Sequence, residues 1–195
     1  GIASRGLGDV YKRQIISSLA LTIIVYVYFF GLDNSKSLKF SDFYKNSETA
    51  ILKENLSLNV DLLLKSRLSS GQLYLLAADL SSKEFYDQSS KVYKEFINNY
   101  PNLIDSDIYA RYAESLYLEN LKVFNEFILE NIENSLFLDP SNYKALTLKG
   151  LFFYNEENYQ ESLKHWAIAL DNVESDEEKK SLIIVMNSAI KALER

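Results

Sequence analysis

The sequence predicts an all-α chain whose main part is a row of helix pairs, and three observations carry that reading. Only six glycines and two prolines occur in 195 residues, and valine is sparse, which disfavours a many-stranded β fold. Small and large apolar residues recur at helical spacing through 69–174, with polar turns between them. The stretch 143–170, YKALTLKGLFFYNEENYQESLKHWAIAL, sets Gly150, Ser162 and Ala169 among Leu146, Phe153, Tyr159 and Trp166. The small residues let two helices cross closely, and the large ones fill the space between them. With 47% hydrophobic and 13% aromatic residues, the chain has enough apolar material for a core.

Residues 1–14, GIASRGLGDVYKRQ, stand apart. The run from Asp9 to Gln14 resembles the translated end of a transposon adapter used in sequencing libraries. Residues 1–14 are therefore read as an artefact and excluded from fold reasoning, with the natural chain expected to begin further upstream. Residues 15–32 follow as IISSLALTIIVYVYFFGL, without a charge. At about 1.5 Å per residue such a helix spans roughly 26 Å, close to a hydrocarbon core of about 30 Å. Tyr26 and Tyr28 lie toward its far end, where amphipathic rings favour the membrane interface. No A-x-A-like cleavage site follows, so a transmembrane helix is expected rather than a signal peptide.

Residues 33–68 are polar with recurring apolar positions, among them Phe43, Ile51, Leu56, Leu58, Leu62, Leu63 and Leu64. They read as amphipathic linker helices. Residues 69–174 hold three units of one pattern. In the first, Leu73, Leu76, Ala77 and Leu80 fill the first helix, and Tyr86, Ser89, Tyr93 and Phe96 the second. In the middle unit Tyr109, Tyr112, Ala113 and Leu116 fit the first helix. The second helix fits only after about three extra residues around Tyr117 to Val123. The third unit is the 143–170 stretch. Residues 175–195 close the row: Ser175 and Glu178 have capping-box spacing, and Leu182, Val185, Met186, Ala189 and Leu193 form an apolar stripe. These units resemble tetratricopeptide (TPR) repeats, whose length is about 34 residues. Two positions depart from that pattern: Lys149 stands where leucine is expected, and Glu157 where the turn glycine is expected. A unit of this kind cannot bury its apolar face alone, so it stacks, and the stack needs a closing helix.

Formal charge is −6, distributed as +2 over residues 1–14 and −8 from Leu32 onward. An acidic soluble part argues against nucleic acid as a partner. There is no cysteine and one histidine, His165, so Cys/His nucleophilic pairs and H-E-x-x-H metal chemistry have no residues to use. His165 beside Trp166 reads as a half-buried side chain rather than a haem ligand. Glycine-rich phosphate loops are missing. No catalytic residue, cofactor or metal is expected, and the chain reads as a binding protein rather than an enzyme.

In a TPR stack the first helices line the concave face. The corresponding positions are Tyr74 and Ala78; Ala110, Glu114 and Tyr117; and Thr147, Leu151 and Tyr154. This aromatic, partly apolar wall with one acid suits an amphipathic helix carrying basic residues, and these eight residues form the predicted peptide-binding groove.

The order of features resembles the periplasmic part of the cytochrome c-type biogenesis family CcmI/CycH. The resemblance lies in the combination of a membrane helix, a leucine-bearing linker and a first unit like Leu73 to Tyr93. A middle unit follows with an enlarged turn and an Ala113-Glu114 pair, then the segment Ser135 to Leu146. Gly150, an aromatic cluster and Trp166 complete the pattern. It covers about Ile15 to Arg195. It implies a protein of the bacterial inner membrane with its soluble domain in the periplasm. Such a protein binds the C-terminal helix of apocytochrome c and presents it to the haem-ligation complex. The alternative is another cell-envelope TPR scaffold, serving a pilus, the outer membrane or a membrane enzyme.

Overall fold

The structure, a computed structural model, describes residues 56–194. The expected adapter artefact (1–14), the expected membrane helix (15–32) and the linker as far as residue 55 lie outside the described residues. Those described form eight α-helices and no strand. Among them no helix is long and apolar enough to cross a membrane. The chain divides into two compact units, Gly1–Leu68 and Ser69–Arg195. In the first unit, helix α1 (Leu56–Leu64) buries Val60 and Leu63 and leaves Leu58 and Leu62 exposed.

The second unit holds seven helices: α2 (Ser70–Ser82), α3 (Tyr86–Asn99), α4 (Ser106–Glu119), α5 (Glu126–Leu138), α6 (Tyr143–Asn155), α7 (Tyr159–Asn172) and α8 (Asp176–Leu193). Each packs on the next in sequence, and α4 also touches α6. The packing is that of a helical stack in which elements meet mainly their neighbours. Short connections make successive helices antiparallel.

The helix starts follow from local chemistry. Ser69 and Gln72 form a full capping box at α2, with Ser69 N donating to Gln72 Oε1 at 2.9 Å and Gln72 N to Ser69 Oγ at 3.3 Å. Asp105, Asn125, Asn142 and Asn158 each accept a first-turn amide at α4, α5, α6 and α7. Ser175 caps α8 by accepting from Glu178 N at 3.4 Å. The predicted capping box there is only half present, because the Glu178 carboxylate takes the Tyr143 hydroxyl instead, at 3.1 Å.

The turns between paired helices differ in length. Residues 83–85 join α2 to α3 and 156–158 join α6 to α7, whereas 120–125 join α4 to α5, three residues longer. The extra length lies after Glu119, and Leu121 and Lys122 both adopt left-handed backbone there. Leu73, Leu76, Ala77 and Leu80 on α2, and Ser89, Tyr93 and Phe96 on α3, are buried as the pattern requires.

Two apolar clusters hold the rest. Ala110, Ala113 and Tyr117 of α4 meet Ile128 and Ile132 of α5 and Ala145 and Leu148 of α6. Leu146 of α6, Trp166 and Ala169 of α7, Val173, and Leu182 and Ala189 of α8 form the other. Leu136 and Leu151 pack against both and join them. Burying each large aliphatic side chain contributes about 1.5–3 kcal/mol. The exceptional Lys149 is half-buried and reaches across to pair with Glu133 on α5. That pairing explains how a lysine stands where an apolar residue is expected: the stem packs and the head finds a carboxylate.

Serines mark the closest crossings. Ser89 Oγ donates to Ala77 O at 2.9 Å and lies 3.0 Å from Ser115 Oγ. Since a hydroxyl has one proton, Ser115 is the donor of that second bond. Ser135 Oγ donates to Ser106 O at 2.8 Å and receives the Ser106 hydroxyl at 3.0 Å.

Candidate functional site

The helices α2, α4, α6 and α8 alternate along the stack, and a polar bridge joins each to the next of the set. Tyr74 on α2 donates its hydroxyl to Asp107 Oδ2 on α4 at 3.2 Å. Arg111, one turn along α4, bonds the same oxygen at 2.6 Å and places its guanidinium 5.7 Å from the Tyr74 ring. Burial opposes the charge of Arg111, but the hydrogen bond and the charge of Asp107 outweigh it and hold the guanidinium protonated beyond its usual range. Burial likewise pushes the Tyr74 phenol up. Lys144 on α6 pairs with Glu114 Oε2 on α4 at 3.1 Å. Tyr143 completes the line through its bond to Glu178 on α8. Burial first, and then the Glu178 charge and hydrogen bond, push the Tyr143 phenol up to about 12, so it stays a donor.

The last two bridges flank a cleft of about 250 Å³ between α4, α6 and α8. Leu148, Leu182 and Val185 supply its apolar surface; Glu114, Lys144 and Glu178 supply its charges. Thr147 completes the α6 wall. Its hydroxyl donates to Tyr143 O at 2.7 Å, and its own carbonyl accepts the Trp166 indole N–H at 3.0 Å, which fixes α6 against α7.

The eight predicted groove residues divide into four pairs. Glu114 and Thr147 come together in the cleft. Tyr74 and Ala78 are half-buried on α2, with Tyr74 bound to the next helix of the set. Ala110 and Tyr117 face inward, at 0% and 6% exposure, and belong to the core. Tyr117 stacks on Phe124 at 4.4 Å between ring centroids, a place created by the longer turn that brings Phe124 back over α4. Leu151 joins the two apolar clusters, and Tyr154 leans on Tyr159 and Trp166, at 5.4 and 5.8 Å.

Tyr143, Lys144, Glu178, Ser181 and Val185 line the cleft but are not among the predicted positions. Tyr143 and Lys144 lie at the very start of the third unit, one turn before Thr147. The other three come from α8, whose predicted role was closure of the stack; its apolar stripe, Val185 included, did not show that the helix also lines a cleft. His165 is half-buried, with Nδ1 2.8 Å from Glu161 O and its ring 5.2 Å from Phe153. Among the described residues no group of three acidic, histidine or cysteine side chains is placed to hold a metal ion.

The described part thus defines an all-α helical stack with an acidic, partly apolar cleft on the face shared by alternate helices. The chain matches no protein-family model and no curated protein sequence.

Proposed function

We propose that the protein is a binding scaffold of the TPR type that presents its alternate-helix face to a peptide helix. The observation that carries this is the cleft between α4, α6 and α8, where apolar surface and carboxylates meet. An amphipathic helix bearing basic residues complements both features. The neighbour-to-neighbour helix packing and the predicted repeat positions support the TPR assignment.

The order of features along the sequence supports the narrower reading: a membrane-anchored periplasmic protein of cytochrome c maturation, related to the CcmI/CycH family. In that reading the peptide is the C-terminal helix of apocytochrome c, handed on to the haem-ligation complex, and the protein performs no chemistry itself. The test is titration of the full chain, in detergent micelles, with C-terminal helices of apocytochromes and with scrambled versions of them. Tight binding of the native helices alone is expected. Equal affinity for the scrambled helices would overturn the narrower reading.

A further inference from the structure

We propose that the cleft between α4, α6 and α8 receives one lysine or arginine side chain of the bound helix. The aliphatic stem rests on Leu148, Leu182 and Val185, and the charged head lies between Glu114 and Glu178. The inference rests on the peptide-binding reading above and narrows it to a specificity-determining subsite.

Size points first to a single side chain. A volume of about 250 Å³ is below the range of pockets that enclose whole small-molecule ligands, about 300–1,000 Å³. Charge points next to a cation. The cleft lining holds two carboxylates and one ammonium. Lys144 answers Glu114, whereas the carboxylate of Glu178 is met by the neutral Tyr143 phenol. One negative charge is therefore left for a ligand to neutralise. Ser181 also lines the cleft and, with its proton committed to Glu177 O at 3.0 Å, has only acceptor capacity to offer.

The surrounding field has the same sign. The unit from Ser69 onward carries twenty-one carboxylates against twelve basic side chains, a net charge of −9. Such a field attracts a basic segment before contact. Glu178 lies in the first turn of α8, where the helix dipole favours a carboxylate. The apolar floor then selects for a cation on a methylene stem, as in lysine or arginine, over a compact cation. An acidic side chain meets the Glu178 carboxylate and is repelled, and an apolar one desolvates that carboxylate without supplying a charge to answer it.

The experiment uses the full chain in detergent micelles and the apocytochrome helix of the titration above, in its native form and with every lysine acetylated and every arginine replaced by citrulline. Binding of the neutralised helix about tenfold weaker than the native one, as expected for loss of one charge-assisted hydrogen bond, supports the subsite. Glu178→Gln should remove most of that difference while still accepting the Tyr143 phenol. Glu161→Gln, a carboxylate on α7 that is not part of the cleft lining, should leave it intact. Ser181→Lys places a tethered ammonium at the cleft and should block the native helix. Equal binding of the two helix forms, or a difference that Glu178→Gln does not change, overturns the subsite and leaves the groove reading standing. Failure of both helix forms to bind overturns the two together.

Discussion

The indole of Trp166 occupies the space that a β-carbon on Gly150 would need. A β-carbon there would lie 2.9 Å from Trp166 Cε2 and nearer still to Cδ1 and Nε1. Trp166 cannot easily retreat: it is 1% exposed, and its N–H is held by Thr147 O. Gly150→Ala should therefore destabilise the stack by about 1–3 kcal/mol, even though alanine is the better helix former by roughly 1 kcal/mol. Urea unfolding followed by circular dichroism measures this. Trp166→Phe vacates part of the space, so the double variant should cost less than the two single changes added. Simple additivity would contradict the contact.

Two glutamates adopt the backbone that a turn normally gives to glycine. Glu84 has φ 64° just after α2, and Glu157 has φ 60° just after α6. Both sit where helices end in a left-handed residue: Phe85 N returns to Leu80 O at 2.9 Å and Asn158 N to Phe153 O at 2.8 Å. A side chain in this region costs about 1–2 kcal/mol, while glycine loses roughly 0.5–1 kcal/mol more chain entropy on folding. Glu157→Gly should thus raise stability by about 0.5 kcal/mol, and Glu157→Val should lower it, by the β-branched crowding that glutamate escapes. Thermal melting of the two variants gives the signs directly.

Three buried serines at helix crossings differ in one respect. Ser115 donates to Ser89, which donates in turn to Ala77 O, and both serines are fully buried. Ser162, at the place in α7 that Ser89 holds in α3, is equally buried but its hydroxyl has no hydrogen-bond partner. Ser162→Ala should then be neutral or stabilising by up to about 1 kcal/mol. Ser89→Ala should cost about 1–3 kcal/mol, because it strands the Ser115 hydroxyl. Removing both the Ser89 and Ser115 hydroxyls should cost less than removing that of Ser89 alone. A destabilising Ser162→Ala would show that its hydroxyl is not idle.

The helices were legible because their signals are local. Spacing such as Leu73, Leu76, Ala77 and Leu80, and the cap at Ser175, are set within one or two turns. The three extra residues of the middle unit were legible as a break in register around Tyr117 to Val123, and the turn after Glu119 overlaps that range, though the spacing did not fix the residue at which the helix ends. The site was legible only in part. Glu114 and Thr147 fall in the cleft, but Ala110 and Tyr117 lie in the core, where Phe124 of the long turn stacks on Tyr117. Which side of a helix a residue serves depends on how its neighbours roll, and that is a tertiary property. Tyr117→Ala consequently belongs with core truncations, at about 3–5 kcal/mol, rather than with tests of binding.

The Tyr143–Glu178 bond makes an alkaline prediction. An ordinary phenol titrates near 10, and Tyr143 is pushed up to about 12 by burial and by Glu178. Because the folded value lies above the unfolded one, the unfolded chain releases its proton first as pH rises. The stability Tyr143 contributes is therefore present in full below pH 10 and is lost as pH climbs through about 12. Tyr93 and Tyr74 are shifted the same way, chiefly by burial, so the whole unit should unfold in this window rather than at milder pH. Tyr143→Phe should shallow the loss of stability above pH 10. Glu178→Gln should instead bring phenolate absorbance in at lower pH, because the neighbouring charge is gone. If Tyr143→Phe leaves the alkaline limb unchanged, the α6–α8 bridge is not coupled to folding, and α8 is held by its apolar contacts through Leu182, Val185, Met186 and Ala189.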